Sequence, residues 1–286
     1  MKILVLGKTG MLGHVVFNYL IEKKHEVYGT TTTGEGIIYD AYKNMEQLES
    51  IIIDIKPAAV INCIGILNKN AEENHALAVK LNSLLPHYID MLSEKYNFKF
   101  VHVSTDCVFD GTKGKYDEKS LPDSTSFYGR SKALGEVINR RSVTLRTSIV
   151  GPDSNPNGIG LFQWFMNQKE KTEGYNKVIW TGVTTIELAK IILISIEKNI
   201  CGLNHVVNND FISKYDLLKL FKKEFKKEIT IEKDDTIVSE KTLIRTKESY
   251  PFEVSSYATM IKNMKDWIIN HKDLYSNIIK QSGLEK

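Results

Sequence analysis

The chain opens with an apolar run, Lys2 to Leu6, that ends in Gly7-Lys8-Thr9-Gly10-Met11-Leu12-Gly13. Beyond this loop Val15, Val16, Tyr19 and Leu20 fall at helical spacing. A buried strand that turns through glycines into an amphipathic helix leaves few ways to continue. The sequence then repeats the alternation. Strand-like runs occur at HEVYGTT, Ile37-Ile38-Tyr39, Ala58 to Ile61, Phe98 to Val103 and Val143 to Thr147. Between them, 46–55 and 71–95 carry helical patterns, the second broken or restarted at Pro86. Strands alternating with helices predict βαβ units, and so an α/β fold on a parallel sheet.

The loop has its own chemistry. Its glycines, spaced GxxGxxG, let the backbone turn tightly and approach a pyrophosphate, whose charge a helix N-terminus favours. At the end of the second strand, where an acid commonly holds ribose hydroxyls, the residues are Gly29-Thr30-Thr31-Thr32. No carboxylate stands there to repel a 2′-phosphate, and Lys8 lies in the glycine loop. The reading favours NADPH, with NADH admitted. The fourth strand ends in Asn62-Cys63-Ile64-Gly65, small enough for a dinucleotide to lie flat across the sheet edge.

The run from Phe98 places Ser104, Thr105 and Asp106 at the carboxyl end of a strand, where open parallel sheets collect their ligands. About twenty residues later, Tyr128 and Lys132 stand four apart in a helical pattern whose apolar stripe reads Ala133, Leu134, Val137 and Ile138. Residues at that spacing share one helix face. A free phenol titrates near ~10, and lowering that by roughly 3 units takes about 4 kcal/mol. A nearby ammonium and a cationic nicotinamide can supply much of it. Thr105 can then hold a substrate oxygen while Tyr128 passes it a proton. The same Tyr-x-x-x-Lys spacing recurs at Tyr19/Lys23, Tyr39/Lys43 and Tyr215/Lys219, where a solvated helix pair is the simpler reading. What sets Tyr128 apart is that it follows a strand ending in Ser-Thr-Asp. Asp106 can border the substrate or cap the turn after that strand. Strand alternation puts Thr105 and Cys107 on one side, so Cys107 borders the substrate pocket or packs behind the loop.

Bulk properties exclude other classes. With 286 residues and a net charge of +3, interspersed charges give no case for nucleic acid or membrane as partner. Lys222-Lys223 and Lys226-Lys227 read as a wet helix face. Three scattered cysteines make no disulfide framework, and no cluster has metal-ligand spacing. The chain starts directly on a strand with no signal peptide and no apolar run near ~18 residues, so a soluble cytoplasmic protein is expected. Past Gly151 comes the turn-rich PDSNPNGIG. Then follow a helix in TTIELAKIILISIEK, a strand in GLNHVVN and amphipathic helices in KYDLLKLFKKEF and ATMIKNMKDWIINH. Residues 1–150 are expected to bind the dinucleotide. Residues 151–286 are expected to shape the substrate site, with elements near 180–208 returning to the first unit.

GKTGMLG, NCIG, KLNSLLP, STDCVFDG, YDE, YGRSKALGE, LRTSIVGP and WTGVTTIELA together resemble the extended short-chain dehydrogenase/reductases. Within them the sequence is most similar to the dTDP-4-dehydrorhamnose reductase group of nucleotide-sugar enzymes. The pieces agree in order over roughly the first 190 residues. The resemblance implies a Rossmann-like doubly wound parallel sheet with a smaller mixed C-terminal substrate-binding region. It also implies NADPH-dependent reduction of a nucleotide-activated 4-keto-6-deoxy sugar. Carried over by position, Thr105, Tyr128 and Lys132 are the catalytic trio. Asp106 lies beside the reacting sugar, and Thr105, Asp106, Cys107 and Tyr128 face the substrate. Gly7, Lys8, Thr9, Gly10, Met11, Leu12, Gly13, Thr30, Asp40, Ala41, Cys63, Ile64, Gly65, Ser104, Tyr128 and Lys132 line the cofactor. No metal is implied, and a homodimer is the assembly considered. Two departures stand out: Cys107 where the group usually has tyrosine, and Asn-Cys-Ile-Gly where it tends to read Asn-Ala-Ala. The rivals are an epimerase or dehydratase with tightly held NAD, and a non-catalytic cofactor-binding regulatory subunit. A dehydratase would more naturally have Asp-Glu after the threonine.

Overall fold

The computed structural model describes residues 1–155, 158–246 and 251–282. Its first half alternates strands and helices: β1 (Lys2–Leu6), α1 (Gly13–Glu22), β2 (Glu26–Thr31), β3 (Ile37–Ile38), α2 (Gln47–Ile55) and β4 (Ala59–Asn62). Then come α3 (Asn68–Glu73), α4 (His75–Ala78), a π-helical turn (Val79–Leu84), α5 (Leu85–Tyr96), β5 (Lys99–Thr105), a 3₁₀ turn (Asp106–Val108), α6 (Phe127–Leu134) and β6 (Val143–Thr147). The second half is more mixed, with β7 (Ile149–Val150), α7 (Leu161–Asn167), β8 (Lys171–Tyr175), β9 (Val178–Trp180), β10 (Val183–Thr184) and α8 (Thr185–Glu197). It continues through β11 (Gly202–His205), β12 (Ile212–Ser213), α9 (Lys214–Glu224), β13 (Thr230–Asp234), β14 (Ser239–Glu240), α10 (Tyr257–Asn270) and α11 (Ser276–Ser282).

Seven strands form one sheet in the order β11-β6-β5-β4-β1-β2-β3, with every neighbouring pair parallel. The order reverses between β1 and β4. Outside the carboxyl ends at such a switch point lies the natural crevice of an open α/β sheet. Side chains of period 2 explain the layering. In β1, Ile3 and Val5 join one core cluster with Val15, Val16 and Leu20 of α1 and Ile191 and Ile192 of α8. Leu4 and Leu6 join the opposite cluster with Leu48, Ile52, Ile55, Leu85 and Ile89 of α2 and α5. Both faces are covered, which is why these strands read as continuous apolar runs. The fold is the Rossmann-like doubly wound sheet.

After leaving the sheet the chain returns to it. β11 pairs with β6, Gly202 opposite Val143. The remaining small sheets pair β12 antiparallel with β9, β14 with β9, β13 with β8 and β10 with β7. Phe162, Phe165, Phe221 and Phe225 of this part share the core of α1 and α8. Of the turn-rich segment expected at 152–160, residues 156 and 157 lie outside the described residues.

Two helix expectations are corrected. The segment 71–95 breaks at Asn74, between α3 and α4, and not at Pro86. Pro86 follows a widened π turn, which absorbs a ring that would clash with the carbonyl of Asn82 four residues back. The helix of Tyr128 ends at Leu134 with Gly135 as its C-cap. Leu134 and Ile138 of the expected apolar stripe are exposed, and Val137 is buried outside the helix. The buried face of α6 is instead Tyr128, Gly129, Ser131 and Lys132. Among the lysine pairs, Lys227 is not simply solvated: it is half-buried and donates to the Met166 carbonyl at 2.9 Å.

The glycine loop gives a test. A β-carbon at Gly13 would overlap the carbonyl oxygen of Gly7, whereas one at Gly10 would meet that atom at an ordinary 3.6 Å. Gly13→Ala should therefore destabilise by about 1–3 kcal/mol, and Gly10→Ala should melt close to wild type. Equal melting losses would contradict this account of the loop.

Candidate active site

A cleft of about 420 Å³ opens over the switch point, lined by Gly10, Met11 and Leu12 on one side and Asn62 to Asn68 along the middle. Val103 to Cys107, Tyr128 and Lys132 form the opposite wall. The glycine loop is fastened from behind. Gly7, at φ +77, donates its N–H to the Thr30 hydroxyl at 3.0 Å, and Lys8 N–H donates to the Thr30 carbonyl. In the first turn of α1, His14 Nδ1 donates to the Gly10 carbonyl at 2.9 Å. Burial lowers the pKa of His14, so the neutral ring accepts at Nε2 from the Tyr275 hydroxyl at 2.8 Å. Tyr275 in turn accepts from Trp267 Nε1. No side chain caps the N-terminus of α1, and in its first turn the His14 N–H donates to the Gly10 carbonyl.

The opposite wall is built by close approach. A β-carbon at Gly129 would overlap the Cys107 carbonyl and the Ser124 hydroxyl, and one at Gly135 would overlap the Asn82 carbonyl. These two glycines seat α6 on the 3₁₀ turn after β5 and on the π turn. Ser126 caps α6 by accepting from Gly129 N–H, and Glu72 accepts from Tyr128 N–H at 3.0 Å. Tyr128 is 8% exposed and Lys132 6%.

Lys132 Nζ donates to the Val103 carbonyl at 2.8 Å and lies 3.5 Å from His102 Nε2. Burial pulls the ammonium down to about 8, against Glu136 and Cys63, which push it up. Burial raises the Tyr128 phenol above its ordinary value, with Cys107 and Asp106 adding to this and a hydrogen bond from Thr105 opposing it. The expected depression of the phenol by Lys132 is thus not met by the protein's own groups. The lysine is turned to Val103, and desolvation dominates.

Thr105, and not Asp106, caps the turn. Its Oγ1 accepts from Cys107 N–H at 3.1 Å and donates to Asp106 Oδ1. Because β5 ends at Thr105, strand alternation does not extend to Cys107. Cys107 nevertheless lines the cleft and packs beside Tyr128, Ala71 and Ala78. Burial pushes both Cys63 and Cys107 up to about 12, so neither thiol is a nucleophile at neutral pH.

Behind the wall stands a buried ion pair. Arg146 Nε donates to Glu136 Oε1 at 2.8 Å, and Ser104 Oγ donates to the same oxygen at 2.6 Å. Arg146 also donates to His205 Nε2 at 3.0 Å, which requires that His205 carry its proton on Nδ1, donated to the Ile244 carbonyl.

The structure brings Gly10, Met11, Leu12, Cys63, Ile64, Gly65, Ser104, Thr105, Asp106, Cys107, Tyr128 and Lys132 to the cleft. Gly7 and Thr30 are tied together behind its rim, Gly13 packs on Gly7, and Thr9 is exposed. Lys8 leans away over the Phe17 ring, 5.1 Å from its centroid, against Gly29 and Gly36 at the β2–β3 loop. Asp40 caps its own turn, accepting from Tyr42 and Lys43 N–H, and Ala41 is buried in the core. None of the decoy pairs lines the cleft, and Tyr39 of one of them is buried in the core. Lys23 and Lys219 lie over the rings of Tyr19 and Tyr215, and Lys43 pairs with Asp40. Residue-level reading of the sequence missed Asn82, whose amide accepts from Ile66 N–H and donates to the Ile66 carbonyl and the Ser131 hydroxyl. That side chain ties the middle of the cleft to α6. Its signal was present in KLNSLLP, where an asparagine precedes a helical proline.

A family model described as RmlD substrate binding domain matches residues 1–268. The dTDP-4-dehydrorhamnose reductase of Aggregatibacter actinomycetemcomitans is 32% identical over 154 residues, 51% of this chain and 51% of that protein. Methionine adenosyltransferase 2 subunit beta of Xenopus laevis is 28% identical over 159 residues, 53% of this chain and 48% of that protein. The chain thus spans about half the length of these curated relatives. The crystal structure of the Bacillus anthracis dTDP-4-dehydrorhamnose reductase in complex with NADP shares the fold, at a TM-score of 0.79 and 20% identity. It covers 93% of this chain and 99% of that one. Among the described residues no helix is long and apolar enough to cross a membrane, and no cluster could hold a metal ion.

Lys132 makes the site's burial measurable. Its pKa is about 8 in the fold against an ordinary 10.5, so between those values the unfolded chain binds more protons than the folded one. Stability arising from this group therefore rises with pH across that window. Relative to Lys132→Met, the wild type should gain melting temperature from pH 8 to 10.5. Parallel melting profiles for the two proteins would show that the ammonium is not buried.

Proposed function

We propose that this chain, which belongs to the RmlD substrate binding domain family, is an NADPH-dependent reductase of a nucleotide-activated 4-keto-6-deoxy sugar. The observation that carries the reading is the convergence of Thr105, Tyr128 and Lys132 on one wall of the cleft, with Tyr128 and Lys132 buried there. The three other Tyr-x-x-x-Lys pairs lie elsewhere on the molecule. The name of the Aggregatibacter relative supports the substrate class. The NADP in the Bacillus anthracis structure supports the cofactor.

The cleft fits a dinucleotide. Gly13 is required by close packing of the loop, α1 carries uncapped N–H groups, and Cys63 to Gly65 keep the sheet edge low. Gly10 to Leu12 and the start of α1 would hold the pyrophosphate. Lys8, whose side chain lies against Gly29 and Gly36, would offer its charge to a 2′-phosphate at the end of β2, where the residues are threonines. When bound, the reduced nicotinamide supplies a hydride to the substrate carbon. The rest of the chemistry belongs to the chain. Thr105 and Tyr128 converge on the carbonyl oxygen, and the Tyr128 hydroxyl delivers the proton as charge builds there. In the protein alone burial favours the protonated phenol, the form that can donate. Lys132 holds its positive charge against the wall through the Val103 carbonyl.

The relative that is a subunit of methionine adenosyltransferase favours a second reading, a cofactor-binding regulatory subunit. The intact trio argues for the enzyme. The three free cysteines suit a reducing compartment, and the reading places the protein in the cytoplasm.

Incubation with 4-keto-6-deoxy sugars on different nucleotides, followed by NADPH absorbance, tests the proposal. The expected result is stoichiometric NADPH loss. Tyr128→Phe should lower turnover on the order of 10²-fold or more with NADPH affinity nearly unchanged, while Tyr19→Phe and Tyr215→Phe leave turnover intact. Lys8→Ala should narrow the preference for NADPH over NADH. NADH binding tenfold tighter than NADPH in the wild type, about 1.4 kcal/mol, would refute the cofactor assignment.

A further inference from the structure

Behind the active wall stands a buried imidazole that the proposed reaction does not use. His102 lies on β5 and is 1% exposed. Its Nδ1 is 3.4 Å from the Asn62 amide nitrogen at the end of β4, and its Nε2 is 3.5 Å from Lys132 Nζ. Two further bonds give this row a direction. Asn62 Oδ1 accepts from Ile64 N–H at 3.0 Å, which turns the NH2 of the amide to the ring. At the other end Lys132 Nζ donates to the Val103 carbonyl. Burial holds the ring well below its ordinary pKa, with Lys132 and His87 of α5 adding to this, so the ring is neutral. An amide nitrogen only donates, so Nδ1 accepts and the single ring proton sits on Nε2, facing the lysine.

An ammonium has three donors and no acceptor, so Nε2–H and a charged Lys132 meet donor to donor. An uncharged amine accepts there with its lone pair, and every bond of the row from Ile64 to Val103 is then made. The opposite tautomer only moves the mismatch to Asn62, whose amide has no proton to shed. Lys132 is the member of the row that has one. The other groups facing the lysine pull both ways: burial opposes its charge, while Glu136 beyond α6 and Cys63 after β4 favour it. Arg146 and Ser104 occupy part of Glu136. We propose that His102 is a positioning residue for Lys132: aligned by Asn62, it turns Nε2–H on the lysine, eases the loss of its proton and so sets the upper pH limit of turnover. The limit on turnover rests on the reductase reading above, whereas the tautomer of the ring does not. A charged lysine favours the phenolate that Tyr128 becomes as it gives up its proton, so turnover falls as pH rises through the lysine's pKa.

Nitrogen-15 NMR of ring-labelled histidine reads the tautomer in the wild type, the His102 signal being the one lost in His102→Gln. The expected spectrum at neutral pH has the proton on Nε2. A proton on Nδ1, or a charged ring, would overturn the inference. In His102→Gln the amide oxygen can face the lysine and accept from it. With NADPH and a dTDP-linked 4-keto-6-deoxy sugar, the alkaline limb of kcat should then move up by about 1 unit, the scale of a hydrogen bond to a charged group. Loss of kcat with the limb in place, the mark of a merely structural role, would overturn the inference too. If the wild type turns over no such sugar, the reductase reading fails, and the tautomer and thermal melts still decide what His102 does to the lysine. In the melts, the gain with rising pH over Lys132→Met should begin about 1 unit higher in the His102→Gln background than in the wild type. An unshifted onset would overturn the inference. If His102→Gln does not fold, Asn62→Asp takes its place: the carboxylate accepts from Nδ1–H, Nε2 becomes an acceptor for the lysine, and limb and onset move the same way.

Discussion

A buried ammonium organises the active wall of this molecule. Lys132 carries a charge into the interior and satisfies it on one backbone carbonyl, that of Val103, at 2.8 Å. Burying a cation with so little compensation is unfavourable, and the surroundings supply the remainder. Glu136 acts on it from beyond the end of α6, and Arg146 and Ser104 hold Glu136 in turn. The lysine reaches its place only because Gly129 and Gly135 let α6 sit directly on the turns beneath it. Position of the helix, polarity of its buried face and orientation of Tyr128 are thus consequences of one constraint.

The other wall is set by a second chain of contacts running the length of the sequence. Gly10, His14, Tyr275 and Trp267 are linked by successive hydrogen bonds, so the last helices brace the loop made by the first residues. The two walls meet at the switch point between β1 and β4. That geometry places glycine-loop backbone on one side and Thr105, Tyr128 and Lys132 on the other, the arrangement on which the proposed reduction rests.

Much of this was legible in the sequence, for physical reasons that also mark where legibility ends. Strands buried on both faces must be apolar throughout, so β1, β4 and β5 announced themselves, and the glycines of the loop marked a turn too tight for side chains. Thr105, Tyr128 and Lys132 were legible because a strand end and an i, i+4 spacing are local facts. The register of α6 was not. Its buried face is polar and small, so an apolar-stripe reading placed Leu134 and Ile138 inward when both are exposed. The amide clamp of Asn82 depends on partners distant in sequence, and the capping role of Thr105 on a turn that the strand pattern runs straight into.

The central claim is that Thr105, Tyr128 and Lys132 perform a net reduction. It is tested most directly by supplying NADPH deuterated at the transferable position of its nicotinamide and examining the product of a nucleotide-linked 4-keto-6-deoxy sugar by mass spectrometry and NMR. The account predicts one deuterium on C4 of the product sugar for each NADPH oxidised. A product altered in stereochemistry or hydration without deuterium and without loss of NADPH would contradict it.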